Sequence, residues 1–279
     1  MRRGDAEIER LLGIFPTEAD YECLLKEDAI IYAPNGDVLA RLVRNCLSEK
    51  TITDAAKLFR TVHGSLSNRG SVIYKGAMMN RERTSDGSLS RTKVVPPSLL
   101  ELVREQNARL GLSGPYSDFL GYFDRTGRER FCRETAWSLS HPDIFEISRP
   151  LAEEVEYVNR HELRQHWRRQ REFMKQVSEK FKYRNSIFST LTVNLNLRCV
   201  NHIDAGDFPG GMGNLVVLEL GDESSGILTM PGDGVAFIVR PTDLLLMNVH
   251  RPHGNLPLKV GGARLTAVLY ARQKINKCR

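Results

Sequence analysis

Between residues 186 and 272 the apolar residues come in short runs, IFSTLTVNLNL, NLVVLEL, GILTMP, GVAFIV, DLLLMNV and RLTAVLYA, separated by Gly, Pro and Asp. Runs of this length, alternating or wholly apolar, predict strands, and strands in series predict a sandwich or barrel. The preceding stretch has a different period. LAEEVEYVNRHELRQHWRRQREFMKQVSEKFK, residues 151 to 182, is free of Gly and Pro, acidic at its start and basic later, and predicts one long helix. A shorter helix is expected over 98 to 111. FLGYFDRTGRERFCRETAWSL then reads as a hairpin turning at Thr126-Gly127. Near the start, CLLKEDAIIYAPNGDVLARLVRNCL predicts a strand, an Asn-Gly turn and a second apolar strand or helix, followed by a helix in TDAAKLFRTVHG with Thr53 as N-cap. The fold class expected is α+β: a 1–97 extension, and a 98–279 core with flanking helices, integrated into one domain.

Composition narrows the class. With 279 residues and 41% hydrophobic content the chain can bury a real core. Forty Lys and Arg against 34 Asp and Glu give +6, compatible with a polyanionic partner without requiring one. The basic residues gather in two places. Arg168, Arg169 and Arg171 surround Trp167, and Arg69, Lys75, Arg81, Arg83 and Arg91 lie in the Ser/Arg-rich stretch 65–97, read as a long loop. Both could neutralise phosphates, although a basic helix face is usually just solvated. Five scattered cysteines, Cys23, Cys46, Cys132, Cys199 and Cys278, contain no C-x-x-C pair, so neither a disulfide framework nor a thiolate zinc site is expected, and the cytoplasm is the expected location. MRRGDAEIERLLGIF has acidic residues where a signal peptide needs its apolar segment, and no membrane association or obligate protein partner is expected.

The chemistry concentrates in NLRCVNHIDAGDFPGGMGNL. If a strand runs through them, His202 and Asp204 project from one face, roughly 7 Å apart along it. Alone, such a pair is commonly a chance surface feature. The later RPTDLLLMNVHRPHGNLPLKVGGARLTAVLYARQ supplies a strand, histidines at its exit and an arginine opening the next strand. Two histidines and one carboxylate form the facial triad that holds non-haem Fe(II) while leaving positions open. Arg264 suits a carboxylate co-substrate because its guanidinium binds one bidentately, and Thr266 and Tyr270 share its face. The third ligand is open between His250 and His253.

H-x-D, then H-x-x-x-P-L, then R-x-T resembles the double-stranded β-helix, a jelly-roll or cupin-like fold, of the Fe(II)/2-oxoglutarate dioxygenases. VNHIDAGDFPGGMGNLVVLEL, GVAFIVRPTDLLLMNVHRPHGNLPL and RLTAVLYARQK look like the TET/JBP branch, which oxidises 5-methyl groups of pyrimidines in nucleic acid. The resemblance is strongest over 186 to 275. Elsewhere the chain looks like compact phage or bacterial members, which would put it in a host-cell cytoplasm. The cysteine-rich region of the animal members is absent. The resemblance implies Fe(II) on His202, Asp204 and His253, and 2-oxoglutarate on Arg264 with Thr266, with Arg133 as a second basic contact if it is not a surface ion pair. It implies Asp207 at the polar edge of the pyrimidine, where it otherwise caps the glycine turn. Tyr270 stacks on the base or is simple core.

The implied activity is oxidation of 5-methylcytosine in DNA to 5-hydroxymethylcytosine, with further steps open, and with succinate and carbon dioxide formed from 2-oxoglutarate. An enclosed site reaches such a methyl only in a flipped base or a single strand. Asp207, as an acceptor, suits cytosine's amine. Thymine hydroxylation of the J-base type is the rival within the class, and a catalytically silent nucleic-acid-binding module the rival outside it.

Overall fold

The structure is a computed structural model that describes residues 5–61, 82–83, 89–90, 97–125, 131–183 and 186–278. Two sheets and a layer of helices make the fold. The larger sheet has eight strands in the order β2-β3-β12-β9-β14-β8-β6-β7: β2 (Ala29–Tyr32), β3 (Val38–Val43), β6 (Tyr116–Phe123), β7 (Arg133–Glu134), β8 (Thr190–Leu195), β9 (Gly213–Leu220), β12 (Leu244–Met247) and β14 (Arg264–Tyr270). The smaller has β1 (Cys23–Leu25), β11 (Val235–Phe237), β10 (Leu228–Met230) and β13 (Gly254–Asn255), in that order. A separate two-residue pair, β4 (Glu82–Arg83) with β5 (Leu89–Ser90), falls in the stretch expected to be loop.

Strand alternation assigns the two faces of the large sheet. Leu191 and Val193 of β8, Val216 and Leu218 of β9, Leu244 and Leu246 of β12, and Leu265, Ala267 and Leu269 of β14 bury one face against Phe59, Trp137, Leu151 and Val155 of the helices. Leu215, Val217, Leu245 and Met247 face the other way and meet Leu228, Met230, Val235 and Phe237 of the small sheet. This is the sandwich expected from the strand pattern, and the jelly roll that the family resemblance implies. On β14, β8 and β6 the inward side is polar instead. Arg264, Thr266, Thr192 and Ser117 are all buried there, and Ser117 donates to Asn194 at 2.7 Å. Polar residues inside a sandwich mark the half of the interior that is not core.

The N-terminal strands belong to both sheets, β1 pairing with β11 in parallel and β3 with β12 antiparallel. The expected hairpin forms, with Tyr122 opposite Glu134 and Phe123 opposite Arg133, while its turn at Thr126-Gly127 lies outside the described residues, as do Arg69, Lys75, Arg81 and Arg91 of the Ser/Arg-rich stretch.

Three expectations need correction. The first helix after β3 starts at Glu49, capped by the Ser48 hydroxyl accepting from Thr51 N–H, so Thr53 sits within it. The single helix expected over 151 to 182 is two, Arg149–Glu162 and Arg164–Lys175, broken at Leu163 with φ −129°. Glu156 holds the bend by accepting from Trp167 Nε1 and from Ile187 N–H, both at 3.1 Å. Cys132 and Cys278, 146 residues apart, are joined by a disulfide that brings the C-terminus against the hairpin. Among the described residues no helix is long and apolar enough to cross a membrane.

Candidate metal centre and its pocket

The strand expected to carry His202 and Asp204 ends earlier, at Leu195. His202 is instead held by one backbone bridge to His253, each residue donating its N–H to the other's carbonyl, at 2.8 and 2.9 Å. Asp204 N–H donates to Val249 O at 2.9 Å. The three side chains converge. Asp204 carboxylate oxygens lie 3.8 Å from His202 Nε2 and 3.6 Å from His253 Nε2, and all three donor atoms lie within 4.8 Å of one another. His253, not His250, completes the cluster.

Both imidazoles are orientated from behind. His202 Nδ1 pairs with Val200 O at 2.7 Å and His253 Nδ1 with Arg251 O at 2.9 Å. A carbonyl only accepts, so each Nδ1 carries a proton and each Nε2 is the ring nitrogen turned toward Asp204. That is the arrangement a metal-ligating histidine requires.

Arg264 opens β14 at one end of the pocket. Asn196, in the left-handed region at φ 53°, fixes it by exchanging backbone and side-chain hydrogen bonds with the Arg264 backbone, both at 2.8 Å. Its guanidinium is buried, and among the described residues no carboxylate pairs with it. Burial pushes it down to about 10, well below the usual guanidinium range. Gly226, at φ +65°, makes the room: a Cβ there would come within 2.8 Å of Arg264 Cδ. Thr266 follows on the same face, 4% exposed.

The opposite end is built differently. Tyr270 is buried, with its hydroxyl 3.2 Å from Thr192 Oγ1. Beyond it Arg272 bridges to Asp207 across the strand edge, with its Nε donating to Asp124 at 2.7 Å and its guanidinium 4.8 Å from the Phe123 ring centre. Phe123 carries Arg133 as well, at 5.5 Å. The strand register puts Tyr116 of β6 level with Leu195 and Gly121 level with Thr190, so Arg133, opposite Phe123, stands at the Tyr270 end and not beside Arg264. Arg272, Phe123 and Asp124 were not singled out from the sequence. Their signal was weak, because only the register of β6 and β14 brings them together.

Beside the His202–Asp204–His253 cluster, β14 thus carries a buried cation at its start and a mixed acidic, basic and aromatic corner at its end. The sequence model of the Tet_JBP family, described as the oxygenase domain of the 2OGFeDO superfamily, matches residues 119–273. The chain belongs to the TET/JBP oxygenase family. Among its relatives, thymine dioxygenase JBP1 of Trypanosoma brucei brucei is 34% identical over 179 residues, covering 62% of this chain and 21% of that protein. Thymine dioxygenase JBP1-B of Trypanosoma cruzi (strain CL Brener) is 30% identical over 233 residues, covering 80% and 26%. The chain thus spans about a quarter of the length of these relatives. NgTET1, solved in complex with 5mC DNA, superposes with a TM-score of 0.57 at 14% identity, over 91% of this chain and 84% of that one.

The cofactors of this TET/JBP oxygenase are those of its superfamily, Fe(II) and 2-oxoglutarate. The residues fit both groups. Two imidazoles and a carboxylate converging on one point match a facial Fe(II) site, and a buried guanidinium that no described carboxylate pairs matches a dicarboxylate.

Proposed function

We propose that this protein hydroxylates the 5-methyl group of a pyrimidine in DNA, thymine first. The observation that carries the reading is the His202–Asp204–His253 cluster, with the buried guanidinium of Arg264 that pairs with no carboxylate among the described residues. Iron bound there, with 2-oxoglutarate and dioxygen, supplies the oxidant, releasing succinate and carbon dioxide.

The chain's own residues do the rest. Val200 and Arg251 carbonyls hold the imidazole protons on Nδ1, so the Nε2 atoms stay available. Arg264 and the Thr266 hydroxyl bind and orientate the co-substrate's distal carboxylate, both buried away from water. At the far end Asp207 and Arg272 meet the polar edge of the base, with Tyr270 beside it.

That corner changes the balance between the two bases. Asp207 alone favours the amine of cytosine, because a carboxylate only accepts. Arg272 beside it adds donors, which suit the 4-carbonyl of thymine. The relatives named as thymine dioxygenases support the same choice. 5-Methylcytosine is the second reading, favoured by Asp207. The substrate base must leave the stack, and the exposed Arg164, Arg168 and Arg169 supply a phosphate grip. They belong to a helix docked on the pocket turn through Phe173, whose ring stacks on Phe208 at 4.1 Å.

The test is mass spectrometry of nucleosides after incubation of matched thymine and 5-methylcytosine oligonucleotides with enzyme, Fe(II) and 2-oxoglutarate. We expect 5-hydroxymethyluracil to exceed 5-hydroxymethylcytosine, and Arg272→Leu to reverse the ratio. Succinate formation that neither oligonucleotide stimulates overturns the nucleic-acid reading.

A further inference from the structure

We propose that the Arg251–Asp233 ion pair is the positioning clamp of the metal centre; the proposal rests on the metal reading above. The segment 249–253 touches every ligand. Val249 O accepts from Asp204 N–H, Arg251 O accepts from His253 Nδ1–H, and His253 exchanges backbone hydrogen bonds with His202. Yet this segment is a turn outside any strand, and Pro252 within it has no N–H to donate. Asn248 closes the turn, its carbonyl accepting from Arg251 N–H at 3.0 Å and its Oδ1 from His250 N–H at 3.1 Å, but neither bond fixes the direction of the Arg251 carbonyl relative to the imidazole.

The side chain of the same residue does so. Arg251 Nε and Nη2 donate to the two carboxylate oxygens of Asp233, at 3.2 and 2.7 Å, a two-pronged contact that fixes orientation as well as distance. Asp233 closes the 3-10 turn Pro231–Asp233 that joins β10 to β11, and its side chain is 2% exposed. The anchor therefore belongs to the small sheet at two of its buried strands, β10 and β11, β10 being paired on both edges. Sheet, carboxylate, guanidinium, carbonyl and imidazole form one continuous line ending at a metal-ligand nitrogen. Arg251 and Asp233 stand outside the ligand cluster. They act through His253.

Groups that orientate ligating histidines typically change metal affinity about 10- to 100-fold when removed. The experiment titrates Co(II) into metal-free native protein and into Asp233→Asn, Arg251→Lys and Arg251→Met, with the melting temperature of each metal-free protein measured alongside. Asp233→Asn and Arg251→Met are expected to raise the Co(II) dissociation constant by about 10- to 100-fold. Arg251→Lys, which keeps the charge and loses the fork, should fall between them and native. Because a single change leaves a buried partner uncompensated, the double variant Asp233→Leu with Arg251→Met removes both charges together. It is expected to fold with a near-native melting temperature and still bind Co(II) weakly, which a purely structural ion pair would not produce. Native-like Co(II) affinity in the folded single and double variants overturns the clamp alone. Native protein that takes up no Co(II), or takes it up equally well after His202→Ala, overturns the metal reading and the clamp with it.

Discussion

Replacing Arg264 by Met separates what this residue costs the empty protein from what it gives the loaded one. Burial brings its guanidinium down to about 10, which at about 1.4 kcal/mol per tenfold is roughly 3 kcal/mol of lost hydration. Among the described residues no carboxylate returns it. Methionine has similar bulk and no charge, and replacing buried ions with packed apolar groups is often neutral or stabilising by about 1 to 4 kcal/mol. The metal-free, ligand-free variant should therefore melt at or above the native temperature. Binding should move the opposite way. Removing one partner of a buried charge pair costs about 2 to 5 kcal/mol, so the 2-oxoglutarate dissociation constant should rise by roughly 30-fold to several thousand-fold. Isothermal titration of 2-oxoglutarate into Mn(II)-loaded protein measures the second effect, and thermal unfolding with and without 2-oxoglutarate measures both. A variant that melts lower than native yet keeps its full thermal shift with 2-oxoglutarate refutes the reasoning, because Arg264 would then be a structural residue with a partner of its own.

Other outcomes test neighbouring parts of the pocket. His253→Ala should abolish Co(II) binding, and His250→Ala should leave it within a few-fold of native, both read by the same titration. Gly226→Ala forces a Cβ to within 2.8 Å of Arg264 Cδ at φ +65°, so it should lower the melting temperature and weaken 2-oxoglutarate binding together. Replacing Arg164, Arg168 and Arg169 by Glu should flatten the dependence of log affinity on log salt for an oligonucleotide, by about 0.9 per lost phosphate contact, while oxidation of free thymidine stays at the native rate. An unchanged slope would mean that the grip lies elsewhere.

The site was largely legible because β14 alternates cleanly. Arg264, Thr266 and Tyr270 fall on the pocket side, and Leu265, Ala267 and Leu269 on the helix side, as period two requires. The two ligand histidines were legible as residues but not as geometry. No strand runs through His202, and one isolated bridge does the work expected of a continuous ladder. The break at Leu163 left no mark because the apolar stripe, Val155, Leu163, Trp167 and Met174, keeps one phase across it; the bend comes from Glu156 reaching a third element. The Cys132–Cys278 pair was hidden for a similar reason. Its partners meet only after the hairpin and the C-terminal segment have docked on a shared cluster with Phe173 and Ile275. Base choice shifted because Asp207 was weighed alone, and its neighbour across the strand edge, Arg272, is visible only once the register is known.

The bridge between His202 and His253 makes the gap between the two imidazoles a dimension of the backbone. Two opposed residues of one antiparallel pair cannot drift apart to suit an ion without giving up both hydrogen bonds. The imidazole spacing is preset, whereas Asp204, outside that bridge, brings the more exposed side chain of the three. Divalent ions of different radius must then share one imidazole spacing and express their differences through the carboxylate. Selectivity among them becomes a matter of how far a single side chain can swing.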